Sequence, residues 1–214
     1  MTLELNSLIS NEEPKIWLFY GDSITHGCKH LNGHRDYTEL FEERVKGELS
    51  RRNDVVINTA ISGNTTRDLL EGFEHRVSRF KPDVIFLMIG MNDCDKNKNL
   101  SLEEYEENLN KLINQMKALN TEVILQTTIP IIPGLAPERE FQFESYMEVV
   151  RGLARKYELP LIDHLNYWKG CNCIFWMSNA YHPNEYGHRV LAHKIFKEMD
   201  IFDEESRTCR LYVH

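Results

Sequence analysis

Five short apolar runs, at 16–20, 55–58, 84–89, 122–127 and 159–163, recur along the chain and are separated by longer segments whose apolar residues repeat with helical period. Runs this short, rich in Ile, Val, Leu and Phe and nearly continuous in apolar character, read as strands buried on both faces, the condition of strands in a parallel sheet. The segments between and after them, 37–50, 67–80, 102–119, 140–157 and 185–199, read as the helices that cover those faces. The expected fold is α/β, a three-layer α/β/α sandwich around a five-stranded parallel sheet. The third helical segment shows the pattern best: Ser101 and Glu104 have capping-box spacing, and Leu102, Tyr105, Leu109, Leu112, Ile113 and Met116 form one apolar stripe.

At 214 residues a single domain over 1–214 is expected, because either half alone would be marginally able to bury a core. Lys and Arg number 25 against 33 Asp and Glu, with no basic stripe, which argues against nucleic acid as a partner. Residues 1–16 carry neither the basic nor the apolar region of an export signal. Apolar runs such as 84–91 and 127–136 fall short of the roughly 20 residues that span a bilayer, so no membrane insertion is expected. Five cysteines, an odd number, fit reduced thiols and a cytoplasmic protein. Association into a homo-oligomer is compatible with all of this.

Open parallel sheets bind ligands in the crevice beyond the carboxyl ends of their strands. The segments that fall there are Gly21-Asp22-Ser23-Ile24-Thr25, Asn58-Thr59-Ala60-Ile61-Ser62-Gly63-Asn64 and Gly90-Met91-Asn92-Asp93, joined near the C-terminus by Asn179-Ala180-Tyr181-His182-Pro183-Asn184. A serine hydroxyl attacks only when a base takes its proton, and the resulting oxyanion needs preorganised donors. Ser, His, a glycine N–H and an Asn amide therefore form one functional set. Singly, Ser23 reads as a helix N-cap, Gly63 as a turn glycine, Asn92 as an Asx-turn residue and His182 as a histidine at a helix start.

In that order and at those strand ends, the four segments resemble the blocks of the SGNH, or GDSL, hydrolase family, over residues from about Trp17 to about Phe196. The resemblance implies a flavodoxin-like hydrolase fold and a serine esterase acting without metal or cofactor. It makes Ser23 the nucleophile, with its own N–H, the Gly63 N–H and the Asn92 amide forming the oxyanion hole, and His182 the general base. Asp22 is expected to hold the nucleophile turn. The family places an acid three residues before its histidine, and here that position is Asn179, which can accept the Nδ1 proton but brings no negative charge. Asp163 and a backbone carbonyl remain as alternative acceptors.

His26, His30 and His34 sit in a Gly-rich stretch that favours a loop lining the pocket over a metal site, and Cys171-x-Cys173 lacks the spacing of a zinc knuckle. Cys94 reads as a packed thiol. Ile129, from the loop after the fourth strand, and the aromatics Trp168, Trp176 and Tyr181 are expected to wall the substrate site, where rings can stack on a sugar, cover an acyl chain or serve as core. Gly63 and Asn92 crowd the serine, as in the family, which favours short acyl groups. The expected activity is hydrolysis of a short-chain ester, acetyl foremost, on a carbohydrate, through an acyl-enzyme intermediate. Lysophospholipase or thioesterase action on the same machinery, and an acyl-ligand-binding protein without turnover, are the alternatives.

Overall fold

In the computed structural model, which describes residues 5–169 and 173–210, strands β1 (Ile16–Gly21), β2 (Val55–Asn58), β3 (Val84–Met88), β4 (Glu122–Gln126) and β5 (Leu161–Ile162) pair in parallel in the order β2-β1-β3-β4-β5. Interspersed are α1 (Ser7–Ser10), α2 (Ser23–His26), α3 (Tyr37–Glu42), α4 (Thr66–Glu71), α5 (Phe73–Arg76), α6 (Leu102–Ala118), α7 (Pro137–Glu140), α8 (Phe143–Tyr157), α9 (His164–Trp168) and α10 (Glu185–Glu198). Helix α3 packs with α10, while α4, α6 and α8 pack in a row, and these two groups form the outer layers.

The sheet is apolar because both its faces are covered. Trp17 to Tyr20 and Val84 to Met88 are buried throughout, and Phe19 stacks on its β3 register partner Phe86 with centroids 4.6 Å apart. Strand β2 differs from the expectation: Val55 is exposed and its neighbours are half-buried, because β2 is an edge strand. Strand β5 is shorter than its apolar run. Pro160 has no N–H to give the ladder, its carbonyl only accepts from Leu125, and Asp163 already caps α9.

Two helical segments break where the chain supplies a reason. The run 67–80 divides at Gly72, which closes α4 and opens α5, and the run 140–157 starts earlier, with Pro137 in the first turn of α7. The run 37–50 begins as α3 and winds on as a π-helix over Glu43–Glu48. On α6 the capping box is half made: Ser101 Oγ accepts from the Glu104 N–H at 3.2 Å, but the Glu104 carboxylate turns to Arg67.

From β1 the chain runs outward to β2 and then returns across β1 to β3. The carboxyl ends of β1 and β3 thus flank the switch point of the sheet, where such folds hold ligands. Gly21 lies there opposite Met88, and a Cβ on it would sit 2.2 Å from the Met88 carbonyl oxygen, so only glycine lets the two strands approach.

Candidate active site

The turn after β1 is built by its own residues. Asp22 caps α2 by accepting from the Ile24 N–H at 3.0 Å, and Gly27, at φ +71°, closes the single turn with its N–H on the Ser23 carbonyl. Ser23 is thereby presented in the first turn, where backbone N–H groups have no partner within the helix. Its Oγ lies 2.8 Å from His182 Nε2.

His182 comes from a loop fastened at several points. Met177 bridges Pro183, the Ser178 N–H donates to the His182 carbonyl, and Asn184 caps α10 through the N–H groups of Tyr186 and Gly187. Asn179 Oδ1 accepts from the N–H groups of Tyr181 and His182, at 3.1 and 3.0 Å, and stands 3.1 Å from His182 Nδ1. The two backbone donors decide which end of the amide is oxygen, so Nδ1 must be the protonated nitrogen and Nε2 keeps the lone pair that faces Ser23. Asp163 is engaged elsewhere: it holds Arg151 through both oxygens, accepts from Thr127 Oγ1 and caps α9.

Among the described residues no carboxylate supports the imidazole. Burial, with His30 and Arg139 nearby, pulls its pKa down to about 4, so His182 is neutral at neutral pH and ready to accept a proton, though as a weak base.

The donors of the second and third segments are tied to one another. Asn92 Nδ2 donates to the Asn64 carbonyl at 2.9 Å, and the Asn64 side-chain oxygen accepts from Arg76 Nη1 at 2.7 Å. Arg76 is buried, donates also to the Thr59 carbonyl and lies 4.7 Å over the Tyr20 ring. Gly63 takes φ +85°, in the left-handed region that favours glycine, and a Cβ there would meet open space. The Ser62 N–H donates to His26 Nδ1, joining this loop to α2.

Two carboxyls that bear on one another are buried here, Asp22 and Asp93. Asp22 is fully buried with Oδ2 unpartnered among the described residues, and burial pushes its pKa up to about 7. Asp93 Oδ1 accepts from the N–H and the hydroxyl of Thr66, and burial pushes the Asp93 pKa up to about 6.

Of the four expected wall residues, two are placed otherwise. Ile129 and Trp168 are shut off from solvent, Trp168 packing edge-on against Trp176 at 5.1 Å, so both are core and have no surface for a ligand. Trp176 and Tyr181 stay half-buried, and Tyr181 lies 4.6 Å from the His182 ring and 4.2 Å beneath the Arg139 guanidinium. The histidines of this stretch do not converge: His26, expected in a loop, ends α2 and faces Ser62 and Cys28, while His30 stacks on His182. Among the described residues no three His, Cys, Asp or Glu side chains converge as a metal site. Cys94 is fully buried with its thiol on the Met91 carbonyl, and Cys171 lies outside the described residues.

Sequence reasoning did not find the Arg76 and Asn64 support of Asn92, the Arg139 and Tyr181 stack, or the contact of His30 with His182. Asn64 stood beside Gly63 in the second segment and His30 in a stretch expected to line the pocket, but nothing local marks Arg76 or Arg139, or the stacking of His30 on His182.

The family model of the GDSL-like lipase/acylhydrolase family matches residues 19–190. An acetylxylan esterase of Geobacillus stearothermophilus is 30% identical over 206 residues, covering 85% of this chain and 92% of the relative. The crystal structure of a catalytic mutant of an acetylxylan esterase from the same organism superposes with a TM-score of 0.74 at 26% identity, covering 88% of this chain and 96% of that one. An uncharacterized protein of Mycoplasma pneumoniae, 29% identical over 154 residues, is far longer, and the matched part makes up 17% of its length.

Proposed function

Because the chain belongs to the GDSL-like lipase/acylhydrolase family and is a carboxylic-ester hydrolase, we propose that it removes short acyl groups, acetyl foremost, from a carbohydrate alcohol, with Ser23 as nucleophile and His182 as base. The single observation that carries this reading is the chain of contacts Ser23 Oγ to His182 Nε2 to Asn179, at 2.8 and 3.1 Å.

In the proposed reaction, Ser23 Oγ attacks the acyl carbon as its proton passes to His182 Nε2. The negative charge on the former carbonyl oxygen falls to the Ser23 N–H, the Gly63 N–H and the Asn92 amide. His182 returns the proton to the leaving alcohol, and the acyl group remains on Ser23. Water, activated by the same imidazole, then releases the acid. Asn179 keeps the tautomer without stabilising the imidazolium, so the proposed enzyme works with a triad that lacks its charge. The choice of a sugar acetate follows the acetylxylan esterase relative together with Tyr181, a half-buried ring whose centroid lies 4.6 Å from that of the base.

The test is a panel of p-nitrophenyl esters beside acetylated xylo-oligosaccharides, lysophospholipids and acyl thioesters. Rates should peak at acetyl or propionyl and fall beyond butyryl, with sugar acetates turned over fastest among natural compounds. A maximum at octanoyl or longer transfers the proposal to a lipid substrate. Ser23→Ala should bring hydrolysis to near background with the fold intact, and retention of more than about a tenth of the activity would remove Ser23 from the role.

A further inference from the structure

Among the described residues no anion holds His182, yet its ring is not free. Along its edge it is held by Ser23 at one nitrogen and a neutral amide at the other. Both are neutral contacts, weaker than the charge-assisted bond a carboxylate would make. The plane is met by His30, whose imidazole lies parallel to that of His182 within 10°, centroids 3.9 Å apart. His30 is itself clipped to the loop that carries His182, with Nδ1 3.4 Å from Ser178 Oγ, and the Ser178 N–H donates to the His182 carbonyl. Tyr181, beneath the Arg139 guanidinium, tilts at 44° to the His182 ring.

We propose that His30 is a positioning residue for His182: its stacked ring fixes the plane of the base and shields that face from water, replacing by contact part of what a charged partner supplies by attraction. The proposal rests on the reading of His182 as the base. It also sets a condition on His30, since a protonated ring here would oppose the imidazolium that forms during attack. Burial and the adjacent Lys29 both favour neutral His30. The other charged or titratable groups that bear on the pair are Arg139 from α7 and His188 from α10, and the uncharged Asn179, Ser178 and Tyr181 complete the surroundings.

The experiment compares His30→Ala with His30→Phe, which keeps a flat ring and removes the titrating nitrogens. Two readouts are taken: kcat and KM for p-nitrophenyl acetate across pH, and the His182 ring titration by NMR on protein labelled with ¹⁵N-histidine, which needs no turnover. In His30→Ala, kcat should fall about 10-fold with KM within about twofold, and both the acidic limb and the NMR midpoint should move up towards the ordinary histidine value as water reaches the ring. In His30→Phe, kcat should return to within about threefold of the parent and the midpoint should stay low. An alanine variant indistinguishable from the parent, a loss confined to KM, or a phenylalanine variant as impaired as alanine would each overturn the proposal. Absence of ester turnover in the parent would instead defeat the esterase reading, while the NMR titration would still decide what His30 does to His182.

Discussion

Asn179 is the residue on which the rate of the proposed reaction turns. Its amide oxygen is fixed by the N–H groups of Tyr181 and His182 before it meets Nδ1, so the useful tautomer is selected without a charge. Where a triad aspartate is exchanged for an unsupported amide, the loss reaches about 10⁴-fold because the amide selects the wrong tautomer. Here that part of the penalty is absent, and Asn179→Asp should raise kcat by the remaining electrostatic share, on the order of 10-fold. A carboxylate also favours protonated imidazole, so the acidic limb of the pH–rate profile, set by a His182 pKa of about 4, should move to higher pH in the Asp variant. Unchanged kcat with an unmoved limb would take position 179 out of the proposed catalytic set.

At the scale of elements, the proposed oxyanion hole is a property of three loops that hold one another. Asn92 is aimed by the Asn64 carbonyl, and the loop carrying Gly63 and Asn64 is pinned by Arg76 of α5. Asn92→Ala should lower kcat by roughly 10²- to 10³-fold with little change in KM, since its donor acts on the transition-state oxygen. Arg76→Ala should act at a distance, lowering kcat about 10-fold and stability by about 1–3 kcal/mol, because Asn64 Oδ1 and the Thr59 carbonyl lose their donor. Steady-state kinetics with a urea melt separates the two effects, and a stable Arg76→Ala protein of full activity would show that the loop needs no such pin.

The same scale explains what the sequence made legible. Strands β1, β3 and β4 stood out because both faces of the sheet are covered, and Ser23, Gly63, Asn92 and His182 stood out because each follows an element whose end could be recognised. Local pattern carries no information on how a side chain from one loop meets another, so His30 on His182 and Arg139 over Tyr181 were out of reach. The misplacement of Ile129 and Trp168 has the same origin: an apolar residue near a site in sequence is placed in the wall or in the core by tertiary packing alone.

For the whole molecule, buried histidines inside and outside the site cost acid stability. His30, His164, His182, His188 and His193 are all held below the ordinary histidine value, with burial as the largest cause in each, His164 and His188 down to about 3. A depressed histidine binds its proton in the unfolded chain first, so its contribution to stability is full above about pH 6.5 and is lost as pH falls towards the folded value. Asp22, Asp36 and Asp93, raised by burial, act in the opposite sense: the native state holds protons that the unfolded chain has released. Five histidines against three aspartates leave the balance destabilising on acidification, so the melting temperature should fall between pH 7 and 5. His164→Gln, which removes a fully buried contributor, should flatten that slope, and an unchanged slope would show that these groups titrate alike in both states.

In the proposed reaction an uncharged Asn179 still lets His182 activate Ser23 for covalent catalysis. Rapid mixing with p-nitrophenyl acetate, followed by acid quench and peptide mass analysis, tests it most directly. A burst of p-nitrophenol approaching one equivalent per chain and an acetyl group on the peptide that carries Ser23 are expected, both absent in Ser23→Ala. A linear release from the first turnover with no acetylated Ser23 peptide, or a burst that survives Ser23→Ala, would contradict it.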